Sequence, residues 1–305
     1  MTTHGLLRAC GLEMTPYTPH AMSDLFEFDS PPPLYAVMGN PIEHSKSPRI
    51  HELFATANNV RIDYRAIQVD PGGFAQAVHS FQAMGGRGLN VTVPFKFEAR
   101  ALADRRSPRV ELAESANTLK MESDGIFADN TDGIGLVNDL QRNLGCSIVG
   151  RRVLLVGAGG AASGVVGPLL EQQPVRLIIA NRSADRAVAL AARFAAFGPV
   201  RGLGFDTLDD DGFDIIVNAT SASLGGEIPA LRPGVLTGTV LVYDMMYGGT
   251  ATPFLQWASQ HGAVRVADGL GMLVEQAAVS FEIWHGVYPA TADVIAALRA
   301  DLSAV

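Results

Sequence analysis

The sequence predicts an α/β protein with two domains, and three observations lead to this prediction. The chain of 305 residues is long for a single hydrophobic core. Segments of strand character alternate with segments of helix character, as in parallel sheets whose strands are connected by helices. A glycine-rich turn follows the buried strand Arg151–Val156 and opens a helix, which is the arrangement of a Rossmann-type, doubly wound dinucleotide-binding domain.

Composition narrows the classes of function. Hydrophobic residues make up 48% and charged residues 18% of the chain, as in ordinary globular proteins. The formal net charge of -8 disfavours a binder of nucleic acids or membrane surfaces, because both partners are negatively charged. Cys10 and Cys146 form neither a disulfide framework nor a metal pattern, so we expect no metal and a reducing cytoplasm. No apolar run reaches the roughly 18 residues that span a bilayer, and the N-terminus lacks a signal-peptide core.

The first domain is expected to span residues 31–131, after a poorly ordered leader over residues 1–30 that ends at Pro31-Pro32-Pro33. Its predicted strands are Leu34–Met38, 63–69, 88–93 and 117–121. Its predicted helices cover 48–58, 73–83, 95–104 and 109–113.

The second domain is expected to span residues 132–270, beginning with a bridging helix over 132–143 that ends near Gly145. Its predicted strands are Arg151–Val156, Leu177–Ala180, Ile215–Asn218 and Val240–Asp244, with helices ending at Gln172 and covering Ala184–Phe197. The stretch 271–302 has few helix breakers apart from Pro289 and predicts one long and one shorter helix.

The glycine turn has the spacing Gly157-x-Gly159-x-x-Ala162. The first glycine permits the tight turn, the second lets the backbone approach a pyrophosphate, and the small third residue lets helix and strand pack closely. The helix N-terminus then offers free N–H groups to phosphates. A glycine-rich turn in an unrelated α/β protein is the alternative interpretation.

The end of the second strand of this domain indicates which dinucleotide binds. An NAD site usually carries a carboxylate there for the ribose 2′-hydroxyl. This chain has Asn181-Arg182-Ser183, with Arg186 one turn later. Two guanidinium groups without a carboxylate favour the 2′-phosphate of NADP, although a solvated arginine pair would give the same pattern.

Polar residues also cluster in the first half. Ser45 and Ser47 precede a helix that begins with proline, where their hydroxyls could cap the helix or donate to a carboxylate. His44 and His51 have no nearby partner that completes a metal pattern, so surface or capping roles are expected.

Further polar residues lie at the predicted strand ends. Asn90 and Thr92 should share one face of a strand, and Lys96 follows at the start of the next helix, where a lysine is usually exposed. Asn117-Thr118 and Asp129-Asn130-Thr131-Asp132-Gly133 add amides and carboxylates, each of which could also form a turn.

Nine segments, in order and at compatible spacing, resemble those of the shikimate dehydrogenase family from about Tyr35 to Ala297. They are GNPIEHSKSP, GRGLNVTVPFK, ANTL, DNTDG, VGAGGAA, ANRSADRA, NATSASLGG, YDMMYGGTATPFL and DGLGMLVEQAA. The chain departs from the family at Glu114-Ser115-Ala116, where small residues usually precede Asn-Thr.

The resemblance implies roles for individual residues. Lys96 and Asp132 match the catalytic pair. The residues that match substrate-binding positions are Ser45, Ser47 and Tyr247 for a carboxylate, and Asn90, Thr92, Asn117 and Gln276 for ring hydroxyls. The residues that match cofactor-binding positions are Gly157, Ala158, Gly159, Gly160, Ala161, Asn181, Arg182, Ser183, Arg186, Ala219, Thr220, Met245, Gly269 and Met272.

The resemblance also implies a fold and a reaction. An N-terminal α/β substrate domain, completed by C-terminal helices 271–305, would face a Rossmann domain across a cleft. NADP would be reduced as shikimate is oxidised to 3-dehydroshikimate, a step of aromatic amino-acid biosynthesis. The expected partner is a small molecule, and the chain would be a monomer or homodimer.

Three other functions are considered. A quinate or dual-substrate dehydrogenase would differ at the Ser45-x-Ser47 region and in pocket shape. A non-catalytic NADP-binding sensor would need neither Lys96 nor Asp132. A methylene-tetrahydrofolate dehydrogenase fits the serine pair and the DNTDG segment poorly.

Overall fold

The structure, a computed structural model, describes residues 31–208, 212–220, 222 and 226–304. The predicted leader over residues 1–30 lies outside the described residues. Two six-stranded sheets form the frame, each with helices packed on it, as an α/β fold requires. Among the described residues, no helix is both long enough and apolar enough to cross a membrane.

The first sheet is mixed and has the strand order β2-β1-β3-β5-β6-β4. Its strands are β1 (Leu34–Gly39), β2 (Asp63–Gln68), β3 (Gly86–Val91), β4 (Arg105–Arg106), β5 (Thr118–Glu122) and β6 (Gly125–Asp129). The helices of this half are α1 (Ser47–Ala57), α2 (Phe74–Ala83), α3 (Lys96–Leu102) and α4 (Pro108–Ala113). Strands β1, β2 and β3 run parallel, whereas β5 pairs antiparallel with both β3 and β6.

The second sheet is entirely parallel in the order β12-β11-β10-β7-β8-β9. Its strands are β7 (Arg152–Val156), β8 (Arg176–Asn181), β9 (Val200–Gly204), β10 (Ile215–Asn218), β11 (Leu241–Asp244) and β12 (Val266–Asp268). Helices α5 (Asp132–Asn138), α6 (Gly160–Glu171), α7 (Ala184–Phe194) and α8 (Pro253–Gln260) accompany it, and α9 (Leu270–His285) and α10 (Ala292–Ser303) end the chain. Counted from β7, the order is the 3-2-1-4-5-6 arrangement of the Rossmann fold.

The central strands of the second sheet are apolar on both faces because helices cover both sides. Leu155 of β7 and Val217 of β10 belong to one core cluster, whereas Leu154 and Ile216 belong to the other. This alternation explains why these strands read as continuous apolar runs in the sequence. The predicted Rossmann-type architecture is therefore confirmed.

Several elements were not predicted. Strands β4, β9 and β12 are short or glycine-containing, and β6 follows β5 through the tight turn at Ser123-Asp124. Helix α8 was also missed, although Thr252 caps it by accepting a hydrogen bond from the N–H of Leu255 at 3.4 Å. These strands depend on pairing with neighbours rather than on local pattern.

The predicted bridging helix over 132–143 is present but changes type along its length. After α5, residues Asp139–Asn143 form a π-helical turn, and Gly145 follows with a φ of 59°. The buried carboxylate of Asp139 accepts hydrogen bonds from the Tyr243 hydroxyl at 2.7 Å and from Asn143 at 2.9 Å. The π turn thus ties the helix that begins at Asp132 to the second sheet.

The last two helices pack on the first half of the molecule. Ile50 and Phe54 of α1 share a core cluster with Val274 and Phe281 of α9 and with Leu298 of α10. This packing brings α9, whose first turn follows β12, against helices of both halves. The predicted long and shorter C-terminal helices are confirmed.

Candidate active site

A cavity of about 360 Å³ lies where the carboxyl ends of β1 and β3 meet the segments after β11 and β12. Every residue predicted for catalysis or substrate binding lines it, together with three of those predicted for the cofactor. These residues are Ser45, Ser47, Asn90, Thr92, Lys96, Asn117, Asp132, Tyr247, Gln276, Met245, Gly269 and Met272. The cavity therefore gathers polar groups that are far apart in the sequence.

Lys96 and Asp132 form an ion pair in the wall of the cavity. The Nζ of Lys96 donates to Oδ2 of Asp132 at 2.6 Å. The two side chains are 22% and 11% exposed, so both can be reached from the cavity while most of their surface is covered. Lys96 is thus not the solvent-facing lysine that its position alone would suggest.

Close packing of α5 and α6 fixes the position of Asp132. A Cβ built on Gly133 would lie 2.5 Å from the carbonyl oxygen of Gly164, so only glycine allows this approach. The side chain of Asn130 contacts the same part of α6, since its Oδ1 would lie 3.3 Å from a Cβ at Gly164. Asp132 therefore begins its helix next to the helix that follows the glycine turn.

Asn117 links the pair to the rest of the cavity. Its Nδ2 donates to Oδ1 of Asp132 at 2.8 Å and lies 3.2 Å from Oε1 of Gln276. Its Oδ1 accepts from the backbone N–H of Thr131 at 2.8 Å. The amide orientation is consequently fixed by groups at the start of α5 and on α9.

The unusual segment Glu114-Ser115-Ala116 does not displace Asn117. Glu114 ends α4 with a left-handed φ of 55°, and Ser115 accepts hydrogen bonds from Nδ2 of Asn130 through its hydroxyl and its carbonyl. The N–H of Ala116 donates to the carbonyl of Lys96 at 2.9 Å. These contacts hold the chain beside α3 and lead Asn117 into the cavity.

The DNTDG segment divides into two parts. Asp129 accepts from the Ser107 hydroxyl at 2.6 Å and pairs with Arg109, and so it holds α4 against β6. Thr131 is fully buried and its hydroxyl oxygen accepts a hydrogen bond from Nδ2 of Asn117, whereas Asp132 faces the cavity.

The serine pair lies at the start of α1. Lys46 is the N-cap residue, and Ser45 Oγ, one residue earlier, accepts from the backbone N–H of Ser47 at 3.3 Å, which leaves the Ser45 hydroxyl proton free to donate elsewhere. Both hydroxyl-bearing residues also line the cavity. A role at the start of the helix and donation to a carboxylate, the two interpretations of the serine pair, are thus compatible in one geometry.

His51 contradicts the expectation of a surface or capping role. It is fully buried, and its ring stacks on Tyr64 with the centroids 4.4 Å apart. Its Nε2 lies 3.1 Å from Oδ1 of Asn90. Burial lowers the pKa of His51 from 6.5 to about 3, because water no longer solvates the cation. His44, in contrast, is exposed as expected, at the cavity rim.

Asn90 and Thr92 were expected on one strand. Asn90 lies near the end of β3, but the strand ends at Val91 and Thr92 follows it. The N–H of Thr92 still donates to the carbonyl of Met38 at 2.9 Å, so the chain continues along β1. Both residues line the cavity as predicted.

The glycine turn lies at the point where the order of the second sheet reverses, between β7 and β10. Gly157 has a φ of 110°, and a Cβ there would lie 3.0 Å from Cγ2 of Thr220. A Cβ on Gly159 would meet nothing within 4 Å. The turn is therefore packed against Ala219 and Thr220 on one side and open on the other, as a pyrophosphate needs.

The last residue of β8 and the residues that follow it are not among those that line the cavity. Asn181 Nδ2 donates to the carbonyl of Ser183 at 3.0 Å, which shapes the turn into α7. Arg182 and Arg186 are exposed, and neither guanidinium forms an ion pair with the residues that the structure describes. Their charges are thus available to an anion at this end of the sheet.

Tyr64 and Ser280, which both contact Asn90, escaped sequence reasoning. Ser280 lies one helical turn after Gln276, and His51 lies one helical turn after Ser47. This four-residue spacing places each of them on the same helix face as a predicted site residue, which was a usable signal. Tyr64 offered no such signal. It lies on β2 directly opposite Tyr35 of β1, and only the sheet register brings it to Asn90.

Three family models match this chain. Residues 37–119 match the shikimate dehydrogenase substrate binding domain, and residues 139–225 match shikimate / quinate 5-dehydrogenase. Residues 269–299 match the shikimate 5'-dehydrogenase C-terminal domain.

Known proteins resemble the chain over most of its length. Shikimate dehydrogenase (NADP(+)) of Dechloromonas aromatica is 55% identical over 273 residues, which cover 89% of this chain and 99% of that protein. An Ael1 enzyme from Pseudomonas putida is 48% identical, with a TM-score of 0.84 over 87% of this chain and 98% of that one.

A more distant structure shows the same architecture with ligands bound. Shikimate 5-dehydrogenase from Thermus thermophilus, in complex with NADP(H) and shikimate, is 27% identical to this chain. It aligns with a TM-score of 0.79 over 88% of this chain and 100% of its own. With these matches in sequence and fold, the chain belongs to the shikimate dehydrogenase family.

Proposed function

We propose that this protein catalyses the reversible, NADP-dependent oxidation of shikimate to 3-dehydroshikimate. The observation that carries the proposal is the Lys96–Asp132 ion pair, which lies in a cavity lined by hydroxyls and amides. Such a cavity suits a small acid with several hydroxyl groups, because each substrate oxygen finds a fixed polar partner.

The substrate's carboxylate and its ring hydroxyls would contact opposite parts of the cavity. Ser45, Ser47 and Tyr247 would donate hydroxyl protons to the carboxylate. Burial raises the pKa of Tyr247, so this phenol remains a neutral donor at ordinary pH. Asn90, Thr92, Asn117 and Gln276 would hold the ring hydroxyls.

Oxidation of an alcohol releases the hydroxyl proton, and Lys96 and Asp132 would accept it as one hydrogen-bonded unit. Asn117 keeps Oδ1 of Asp132 occupied at 2.8 Å, which leaves Oδ2 to Lys96. When bound, NADP supplies the oxidising power by accepting the hydride. The residues of the chain would bind and orient the substrate and accept its hydroxyl proton.

The glycine turn and the residues after β8 fit this cofactor. The pyrophosphate would lie in the open space beside the turn, which a side chain at Gly159 would fill. The residues around it would be Gly157, Ala158, Gly159, Gly160 and Ala161. Asn181, Arg182, Ser183 and Arg186 would bind the 2′-phosphate, for which the exposed guanidinium groups supply positive charge. Ala219, Thr220, Met245, Gly269 and Met272 would line the path to the nicotinamide.

The division into domains is part of the proposal. The first sheet and the helices packed on it support a substrate domain over residues 31–131, completed by 271–305. The second sheet supports an NADP-binding domain over residues 132–270. We further propose a cytoplasmic enzyme that acts as a monomer or homodimer.

Reduction of NADP and NAD, each with shikimate and with quinate, tests the proposal. We expect rapid formation of NADPH with shikimate and much slower reactions in the other combinations. Quinate is included because residues 139–225 match a model shared by shikimate and quinate enzymes. Absence of NADPH formation with shikimate would refute the function, and equal rates with quinate would make the enzyme dual-specific.

A further inference from the structure

A buried hydrogen-bond network lies directly behind the cavity, and Asn90 is its centre. Asn90 is 5% exposed and lies between α1, β2, β5 and α9. Its Oδ1 lies 3.1 Å from Nε2 of His51 and accepts from the Tyr64 hydroxyl at 2.7 Å. A carbonyl oxygen has two lone pairs, so these two contacts use its whole accepting capacity.

The orientation of the Asn90 amide follows from its other neighbours. Nδ2 lies 3.0 Å from Oγ of Ser280 and 3.4 Å from the backbone carbonyl of Asn117. Oγ of Ser280 also lies 3.1 Å from the carbonyl of Gln276, to which it donates, and 2.8 Å from Oγ1 of Thr118, where either hydroxyl could be the donor. A backbone carbonyl can only accept, so the carbonyl of Asn117 requires the amide nitrogen on this side.

The same reasoning sets the tautomer of His51. Oδ1 of Asn90 can only accept, so Nε2 of His51 must carry a proton. Nδ1 of His51 is buried without a hydrogen-bond partner among the described residues. A neutral ring with its proton on Nε2 leaves only a lone pair unmatched, whereas a proton on Nδ1 would leave a buried orphan donor, which is rarer.

The rings around His51 hold it in this position. It stacks on Tyr64, meets Phe54 edge-on at 6.1 Å between centroids, and lies 5.2 Å from the ring of Trp284. The titratable neighbours are Tyr64 and His285. Burial raises the pKa of Tyr64 and lowers the pKa of His285, and each shift favours the neutral form of its group.

We propose that His51 and Tyr64 are positioning residues that together occupy both lone pairs of Asn90 Oδ1, so that Asn90 offers the substrate only an N–H donor. One N–H of Asn90 is committed to Ser280. The other has only long contacts, at 3.3 Å from Thr118 Oγ1 and 3.4 Å from the Asn117 carbonyl, and would be the donor to a substrate hydroxyl in the cavity that Asn90 lines. The inference rests on the proposed function for the identity of that substrate.

Four variants test the proposal through steady-state kinetics with shikimate and NADP. His51→Phe removes the donor and keeps an aromatic ring, Tyr64→Phe removes only the hydroxyl, and the double variant removes both donors. His51→Gln restores an N–H near the place of Nε2. We expect each single Phe variant to raise the KM for shikimate about three- to tenfold, the usual effect of one lost hydrogen bond. The KM for NADP should stay within about twofold, because the cofactor residues are elsewhere.

The pattern among these variants separates positioning from simple stability. His51→Gln should recover most of the KM, and the double variant should exceed the product of the single effects because the amide can then rotate. If the two residues had a purely structural role, the variants would lower the melting temperature. His51→Gln would then not recover the KM for shikimate, and the KM for shikimate would not change selectively relative to the KM for NADP. A shikimate KM within about twofold of the parent in both folded Phe variants would overturn the proposal.

A second measurement does not depend on activity. Nitrogen-15 NMR of the imidazole groups, with His51 assigned by comparison with His51→Gln, should show the Nε2–H tautomer unchanged from about pH 5 to about pH 8, since a buried neutral ring does not titrate there. An Nδ1–H tautomer, or a titration within this range, would overturn the proposal. If the parent enzyme fails to oxidise shikimate while the Nε2–H tautomer is found, the proposed function fails and the orientation of Asn90 stands.

Discussion

The Nζ of Lys96 donates to Oδ2 of Asp132 at 2.6 Å, across a separation of 36 residues in the sequence. Lys96 is the first residue of α3 and Asp132 the first residue of α5. The other carboxylate oxygen of Asp132 accepts from Asn117. Neither group can turn away without breaking a charged contact, so the pair is held in position before any substrate arrives.

The first prediction concerns Lys96→Ala. A positioned proton-transfer group typically contributes about 10²–10⁴-fold to the rate, so we expect kcat to fall at least about a hundredfold. The KM for shikimate should rise only modestly, because the carboxylate contacts remain. Steady-state kinetics on the folded variant measure both. Lys120→Ala is the matched control, since Lys120 pairs with Glu122 of the same strand, β5, and is not among the residues that line the cavity. A kcat within about threefold of the parent would disprove the proton-transfer role.

The second prediction concerns cofactor preference. Arg182→Ala should weaken NADP much more than NAD, because only NADP carries the 2′-phosphate that a guanidinium would bind. The ratio of kcat/KM for the two cofactors is the measurement. Arg151→Ala is the control, because Arg151 precedes β7 at the amino end of the parallel strands, whereas Arg182 follows the carboxyl end of β8. Equal losses for both cofactors would contradict the assignment of Arg182.

The third prediction compares two glycines of one turn. Gly157→Ala should destabilise the fold by at least about 1–2 kcal/mol, because a φ of 110° is unfavourable for alanine and its methyl would press on Thr220. Gly159→Ala should leave stability nearly unchanged, since its φ of -93° suits alanine and no atom lies within 4 Å of the new methyl.

For Gly159→Ala, the loss should appear in NADP affinity instead, by about tenfold or more, since the methyl would occupy the space for the pyrophosphate. Urea unfolding and NADP titration distinguish the two glycines. The interpretation is wrong if Gly159→Ala binds NADP as tightly as the parent.

The fourth prediction concerns stability and pH. In the folded protein the pKa of His51 falls from 6.5 to about 3 through burial, so the unfolded chain binds one more proton between these values. The stability that this neutral group provides is complete above pH 6.5 and is lost as the pH falls towards 3. From about pH 7 to about pH 5 we expect a loss of about 2 kcal/mol in the free energy of unfolding.

His51→Phe removes this dependence, so the stability gap between parent and variant should narrow by the same amount at about pH 5. His285, whose pKa burial also lowers, is present in both proteins and cancels in the comparison. Urea unfolding at several pH values measures the gap. A gap that does not change with pH would mean that His51 is not neutral and buried.

The sequence alone predicted much of the second sheet and of the cofactor turn. Residues 153–156 of β7 and 215–217 of β10 are all apolar, because both faces of a parallel sheet are covered. The glycine turn depends on φ and on close approach, and these are local properties that residue type reveals. Short strands such as β12 lacked a local signal, since β12 depends on its pairing with β11.

The motifs also predicted polar residues that line one cavity, but only the tertiary structure decided how they meet. Asn117 and Gln276 come into contact across 159 residues, and Tyr64 reaches Asn90 only through the register of β1 and β2. His51 looked like a surface residue beside a helix start, yet the packing of α9 on α1 buries it. Local sequence sets backbone conformation and residue chemistry, whereas burial and hydrogen-bond partners depend on which distant elements pack together.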